Sequence, residues 1–278
     1  MERERLTITL RRDVLEQLDR QIDGYKLRNR SHAIEYYLSR ELGGRLTKAV
    51  ILCGGKGLSL RPYTYELPKA MIPVKGRPLL EHTIEGLREQ GIRDIVLTID
   101  YLGEKIEQHF GDGSKLGVKI QYIRLGKPVG TAASLRATKD VVGTQPFLLL
   151  YGDVLTKVLY QDLIDFHSEQ KKLLTMALTS VADPSAMGAV SLRGSKVVAF
   201  TEKPKSNATV SRLVSAGIFV ISPEIFAKLL AKTPLSLEQD VFPKLIEDSE
   251  VDGFVFDAPW YDITTPENYE RLLKEWRS

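Results

Sequence analysis

The sequence predicts an α/β fold, with a mixed, mostly parallel central sheet over residues 47–278 and a small separate module over residues 1–44. Three observations carry this prediction. From Lys48 onward, apolar runs of strand length alternate with stretches whose apolar residues recur every three to four positions. The first of these runs passes straight into a glycine-rich loop, as parallel strands do at a ligand-binding sheet edge. The segment ahead of Lys48 has its own strand and helix pattern but too little apolar mass for a core.

In chain order, Arg5-Leu6-Thr7-Ile8-Thr9-Leu10 alternates polar and apolar residues, which predicts a strand. Leu6, Ile8 and Leu10 share one face, and Arg5, Thr7 and Thr9 the other. A helix is expected from Asp13 to Tyr25, with Leu15, Leu18 and Ile22 at helical spacing and Gly24 near its end. A second follows Arg28-Asn29-Arg30-Ser31, with Ala33, Ile34, Tyr37, Leu38 and Leu42 as its stripe. Asn29 or Ser31 can cap it, and Gly43-Gly44 ends it. One strand and two helices leave an apolar face that asks for a second copy, so a homo-oligomer through residues 1–44 is expected.

In the larger part, strands are expected near 48–53, 93–99, 118–124 and 146–151, with helices near 78–90, 102–110 and 131–139. After Asp153 the pattern becomes mixed, with extended segments near 173–180, 188–193, 196–201 and 214–220. A last helix is expected near 266–276, with Pro266 in its first turn and Tyr269, Leu272, Leu273 and Trp276 as its apolar face.

The loop Gly54-Gly55-Lys56-Gly57-Leu58-Ser59-Leu60-Arg61-Pro62 is the most informative stretch. Three glycines allow left-handed turns and close backbone approach. Successive N–H groups there make a nest for phosphate oxygens, with Lys56 and Arg61 adding charge. No Gly-Lys-Ser/Thr closes it, and Leu60 stands where a dinucleotide fingerprint places its third glycine. Leu67-Pro68-Lys69-Ala70-Met71-Ile72-Pro73-Val74 and Gly76-Arg77-Pro78-Leu79-Leu80-Glu81 follow. Then, in order, come Gly130-Thr131-Ala132, Gly152-Asp153-Val154-Leu155, Phe200-Thr201-Glu202-Lys203-Pro204, Ala216-Gly217-Ile218-Phe219 and Trp260-Tyr261-Asp262-Ile263-Thr264-Thr265-Pro266-Glu267.

This ordered series, covering about residues 47 to 278, resembles the sugar-phosphate nucleotidyltransferases, also called nucleotide-sugar pyrophosphorylases. The resemblance implies a Rossmann-like fold and a reaction in which a sugar 1-phosphate attacks the α-phosphorus of a nucleoside triphosphate and pyrophosphate leaves. It implies Mg²⁺ on Asp153 and Asp262, with Lys69 on the triphosphate. Gly54, Gly55, Lys56, Gly57, Arg61, Gly130, Thr131 and Asp153 would form the nucleotide side. Gly188, Glu202, Lys203 and Gly217 would form the sugar-phosphate side. Three positions depart from the family pattern: Leu58-Ser59 replaces Thr-Arg, Thr264 replaces glycine, and Ser215 replaces asparagine. The missing arginine removes a bidentate clamp on the leaving pyrophosphate. Thr264 brings a β-branched side chain toward the sugar pocket. Leu125, Gly126 and Lys127 fill the region that reads the base in relatives, which leaves the base open.

Residues 1–44 resemble the ribbon-helix-helix DNA-binding family. Arg5, Thr7 and Thr9 would then face the major groove of double-stranded DNA, and the helix start at Arg30 and Ser31 a phosphate. The alternative is a dimerisation arm without DNA. The leading expectation is therefore a regulator that binds a nucleotide or nucleotide sugar with weak or no catalysis, because Ser59 replaces the loop arginine. The alternatives are an active Mg²⁺-dependent enzyme making a nucleotide sugar, and a catalytically silent partner subunit.

Composition is consistent with these readings. A 43% hydrophobic and 27% charged chain reads as globular, without a membrane-length apolar run or secretory leader, so a cytoplasmic protein is expected. A single cysteine, Cys53, excludes an intrachain disulfide framework, and four scattered histidines argue against zinc. The net charge of +3 is too small to demand a nucleic-acid partner; residues 1–46 hold ten Lys/Arg against eight Asp/Glu.

Overall fold

The structure, a computed structural model, describes residues 7–25, 27–42, 46–127, 129–205 and 211–277, with backbone alone for 39–42. The chain divides into two compact units, Met1–Arg45 and Leu46–Ser278.

In the first unit, α1 spans Arg12–Arg20 and α2 spans Arg30–Leu42. Helix α1 stops short of the expected Tyr25 because the Asp23 carboxylate takes the backbone N–H groups of Tyr25 and Leu27, at 2.9 Å each. Such local side-chain bonds compete with helix continuation. Asn29 caps α2 by accepting the His32 N–H at 2.9 Å. Arg30, expected near a DNA phosphate, instead forks onto Asp19 at 2.7 and 2.6 Å and clasps the two helices. Of the expected strand, Arg5 and Leu6 lie outside the described residues. Residues 7–10 form no ladder, since the described unit offers no second strand to pair with. Ile8, Leu10, Val14 and Leu38 are exposed, and only Leu27 and Ala33 are buried among the described apolar residues of this unit.

The second unit is organised by a nine-stranded sheet. Its N-terminal half supplies β1 (Lys48–Leu52), the small hairpin β2 (Pro73–Val74) and β3 (Arg77–Pro78), α3 (Leu79–Glu89), β4 (Asp94–Ile99), α4 (Gly103–Phe110) and β5 (Lys119–Arg124). Then follow α5 (Thr131–Arg136), α6 (Lys139–Val142), β6 (Phe147–Tyr151), β7 (Val154–Thr156), α7 (Tyr160–Gln170) and β8 (Leu174–Ser180). The remainder is β9 (Gly188–Arg193), β10 (Lys196–Glu202), β11 (Leu213–Ile221), α8 (Phe242–Glu247), β12 (Val251–Val255), β13 (Trp260–Asp262) and α9 (Pro266–Glu275).

The sheet order is β5-β4-β1-β6-β11-β8-β12-β10-β9. Strands β5, β4, β1 and β6 run parallel, and β11 joins β6 antiparallel. The mixed character therefore begins at the β6–β11 border, in the half that follows Asp153. Both faces are covered. Ala49, Ile51, Leu148 and Leu150 pack on one side with α3, α4 and α7 residues such as Leu80, Ile106 and Leu163. Val50, Phe147 and Leu149 pack on the other with Leu135 of α5 and Phe242 of α8. A strand buried on both sides reads as a continuous apolar run, which is why KAVIL and FLLLY were legible as strands.

A third cluster packs Leu60, Ile72, Val74, Tyr261, Ile263, Leu272 and Trp276 together. It joins the glycine loop, the β2–β3 hairpin and α9, so the loop's course is set by packing against the far end of the chain. No helix among the described residues is long and apolar enough to cross a membrane.

Candidate active site

The glycine loop leaves β1 at the carboxyl edge of the parallel strands, where open α/β sheets place ligands. Of its three glycines only Gly57 adopts a left-handed conformation, φ +58°, so one turn rather than three redirects the chain. The loop then settles through Leu60, which is fully buried.

Two adjoining cavities open here. One, of about 330 Å³, is lined by Gly54, Gly55, Leu125, Gly130, Thr131 and Gly152 among others. The other, of about 260 Å³, is lined by Gly188, Glu202, Lys203, Gly217, Asp262 and Thr264 among others. Lys69, Tyr151 and Asp153 line both. All four residues expected on the sugar-phosphate side thus fall on one cavity. Gly54, Gly55, Gly130, Thr131 and Asp153, expected on the nucleotide side, fall on the other. Lys56, Gly57 and Arg61 line neither; Lys56 is exposed, and the Arg61 guanidinium lies over the Tyr65 ring at 4.8 Å.

Lys69 Nζ donates to Asp153 Oδ2 at 2.5 Å where the cavities meet. Burial alone would lower its ammonium pKa, but Asp153 and then Asp262 more than offset this and hold it above its ordinary value. Asp262, at the end of β13, is pushed up to about 6, chiefly by burial and then by the Asp153 charge; Lys69 and two hydrogen bonds from Thr264 pull the other way. Asp262 Oδ1 accepts the Thr264 N–H at 2.6 Å and also the Thr264 hydroxyl. Ser59 donates its hydroxyl to the Thr264 carbonyl at 2.5 Å. Two of the positions that depart from the family pattern therefore touch each other. Ser215, the third, lines the second cavity and accepts the Gly217 N–H at 3.4 Å. Cys53 is buried, and burial pushes its thiol pKa up, so it is inert filler.

Sequence reasoning missed Glu238. It sits on a π-turn, Leu237–Val241, capped by Ser236. Glu238 accepts hydroxyls from Thr131 at 2.8 Å, from Ser236 at 2.6 Å, and from Tyr151. Thr131 also accepts the Leu237 N–H at 2.8 Å. Thr131, expected on the nucleotide side, thus fastens helix α5 beside the first cavity to the wall of the second. The Phe200 ring lies against Gly188 and so shapes that wall. Glu202, half-buried, has its carboxyl pKa raised by burial and then by Glu238. The only signal for this region was Ser236-Leu237-Glu238-Gln239, a helix-start pattern that says nothing of a cavity.

Fold and site together define a two-chambered α/β protein with a lysine and two carboxylates where the chambers meet. Residues 48–277 match the family described as Nucleotidyl transferase, and the chain belongs to that family. Relatives include the mannose-1-phosphate guanylyltransferase of Mycobacterium tuberculosis, 34% identical over 226 residues, and the probable mannose-1-phosphate guanylyltransferase 1 of Oryza sativa subsp. japonica, 35% identical over 228. Each alignment takes in 80% of this chain, which spans 62% of the relative's length.

Solved structures share the fold. A putative glucose-1-phosphate thymidylyltransferase from Bacillus anthracis, in complex with a sucrose, superposes with a TM-score of 0.76 at 24% identity, covering 83% of this chain and 96% of that one. HddC from Yersinia pseudotuberculosis, complexed with GMP-PN, gives 0.72 at 24% identity, covering 83% and 100%. The family match leaves residues 1–47 outside it.

Proposed function

We propose that the protein is an active nucleotidyltransferase that joins a nucleoside triphosphate to a sugar 1-phosphate, giving a nucleotide sugar and pyrophosphate. The observation that carries this is the placement of Lys69 and Asp153 on both cavities at once, with Asp262 on the second. A group at that junction is in reach of both halves of a nucleotide sugar. By likeness to relatives named as mannose-1-phosphate guanylyltransferases, GTP and a hexose 1-phosphate such as mannose 1-phosphate are the first substrates to try.

The donor set fits Mg²⁺. Asp153 and Asp262 supply hard oxygen ligands, and a cation would relieve the burial and, after it, the mutual repulsion that disfavour the Asp262 carboxylate. No group of three or more His, Cys, Asp or Glu that could hold a metal occurs among the described residues. Phosphate oxygens and water would complete the shell, as Mg²⁺ prefers. Asp153 and Asp262 would hold the ion, which when bound supplies positive charge against the phosphate oxygens. Lys69 adds a second positive charge at the cavity junction and draws the triphosphate toward it. The Gly54–Gly55 backbone borders the nucleotide side, and Glu202 accepts sugar hydroxyls. Lys203, 65% exposed and 3.8 Å from the Glu202 carboxylate, would turn its ammonium onto the sugar phosphate. An oxygen of that phosphate forms the new bond to the α-phosphorus as the α–β bridge breaks and its electrons leave with pyrophosphate. Catalysis is then positioning and charge neutralisation, with no covalent intermediate on the protein.

Incubation of purified protein with Mg²⁺, each nucleoside triphosphate and a panel of sugar 1-phosphates tests this directly. Pyrophosphate release that Asp153→Asn abolishes is expected. The absence of release with every pair would return the silent-effector reading, which Ser59 supports by bringing no charge to the loop.

We further infer that residues 1–44 pair with a second copy. The support is the exposure of Ile8, Leu10, Val14 and Leu38 in a unit with so little buried apolar surface. In a paired ribbon, Thr7 and Thr9 would share the face opposite Ile8 and Leu10 and would be the DNA-reading side. A dimer or larger even oligomer in sedimentation, and a salt-sensitive gel shift with the protein's own promoter, are expected. A confirmed oligomer with no shift at low salt would leave the arm.

A further inference from the structure

Ser59 and Thr264 stand 205 residues apart and meet at the active site. Their contact is held from behind. Leu60, next to Ser59, and Ile263, next to Thr264, are both fully buried in one cluster, so the two backbones are fixed against each other by their neighbours. Thr264 then gives Asp262 Oδ1 two donors, its N–H and its hydroxyl. Among the described residues no other hydrogen bond reaches the Asp262 carboxylate, so Oδ2 is left unbonded. A residue without a hydroxyl at 264 would supply the N–H alone. The carboxylate would then be free to rotate about its last torsion, which is broad for aspartate.

We infer that Thr264 is a positioning residue for Asp262, and that Ser59 ties the glycine loop into the same hydrogen-bonded unit, so that nucleotide phosphates at the loop and a divalent cation on Asp262 bind cooperatively. The inference rests on the proposed function and goes beyond it. It assigns a task to two residues that motif comparison marks only as departures, and it makes the link between loop and carboxylate direct. Order imposed on the loop by phosphates reaches Asp262 through Ser59 and Thr264. By linkage, a cation held on Asp262 favours the loop conformation that receives phosphates by the same factor. The Thr264 side chain also lines the sugar-side cavity, but its hydroxyl points its hydrogen at Asp262.

The test measures binding without turnover. The tightest-binding of GTP, ATP, UTP and dTTP is titrated calorimetrically into the full chain, without sugar phosphate, once in EDTA and once in Mg²⁺. The readout is the ratio of the two dissociation constants. Thr264→Val, which keeps the shape and removes the hydroxyl, is expected to cut that ratio about tenfold, as loss of a hydrogen bond behind a metal ligand does. Thr264→Ser should return it to within about twofold of wild type, and Ser59→Ala should cut it about threefold. The double variant Ser59→Ala with Thr264→Val should be no worse than Thr264→Val alone, because the two act as one unit.

Melting curves confirm that each variant is folded. Asp262→Asn is the control. If it abolishes the metal effect while Thr264→Val leaves the ratio within about twofold of wild type, the positioning role is overturned and the metal site stands. If Asp262→Asn changes nothing, or no nucleotide binds, the proposed site itself fails and this inference falls with it.

Discussion

Gly130→Ala is the substitution whose cost the structure fixes most closely. Gly130 has φ +87° and ψ 162°, a region essentially reserved to glycine, where any other residue costs about 1–3 kcal/mol. A Cβ there would lie 2.5 Å from the Leu235 carbonyl oxygen, 2.9 Å from its carbon and 3.1 Å from its nitrogen. These are backbone atoms and cannot swing aside. Leu235 O accepts the N–H groups of Ala132 and Ala133 at 3.0 and 3.2 Å, and Leu235 N donates to Val129 O at 2.9 Å. Relieving the clash to ordinary contact moves that carbonyl by about 1 Å. The move loosens bonds worth about 1 kcal/mol each. The total is roughly 3–5 kcal/mol, which for a unit of this size lowers Tm by about 10 °C. Differential scanning calorimetry of the full chain reads this shift. A titration of nucleotide binding should also show weakening, because Val129, Gly130 and Thr131 line the nucleotide-side cavity. A Tm within about 2 °C of wild type would refute the reasoning, since strain and clash alone exceed that.

Three further outcomes are expected. Lys69→Met should lower kcat/KM by about 10²–10³, and Mg²⁺ should raise the Tm of the variant more than that of wild type, because Asp153 and Asp262 are left facing each other; equal Mg²⁺ shifts would count against the carboxylate pair as the ion's seat. Glu238→Gln should raise KM for the sugar 1-phosphate about tenfold, because one carboxylate oxygen becomes an NH2 that faces either the Tyr151 hydroxyl or those of Thr131 and Ser236, and one unmatched polar contact costs about 1–3 kcal/mol; an unchanged KM in steady-state assays would remove Glu238 from the site. His167 is buried between Thr175 and Ser222, and burial lowers its pKa to about 4. The unfolded chain takes up a proton below about 6.5 that the fold refuses until about 4. Stability present above pH 6.5 is therefore lost by up to about 3 kcal/mol as pH falls through that window. Urea unfolding at several pH values should show this loss, and His167→Gln should flatten it.

The strands of the parallel half were legible to within a residue or two because both of their faces are buried, leaving runs such as Val50-Ile51-Leu52 unbroken by polar residues. Helix α7 escaped notice because only Tyr160, Leu163 and His167 are buried on it, and one of these is a histidine. The antiparallel pair of β7 and β13, three residues each, is too short to show a period. Lys69, Asp153 and Asp262 were legible by the order of the motifs around them, and they do converge. The cations of the glycine loop, Lys56 and Arg61, line neither cavity. Their direction depends on Leu60 entering a cluster with Ile263 and Leu272, a contact between distant parts of the chain. Glu238 was silent for the same reason, since its task exists only once Thr131 and Tyr151 are beside it.

Strand β11 carries a consequence for how such a protein can change. Its pairing with β8 runs from Ser215 opposite Leu178 to Phe219 opposite Met176, four steps on one strand against two on the other. The two surplus residues bow out around Gly217, at the sugar-side cavity. Because side chains alternate with a period of two, a surplus of two leaves every inward-facing residue beyond the bow in phase. The wall of the cavity can therefore be lengthened or trimmed in pairs while Phe219, Val220 and Ile221 keep their places in the core. A single insertion at the same spot would turn the rest of that central strand over unless a one-residue bulge took it up. Changes in the length of this wall are thereby accommodated most simply in even steps.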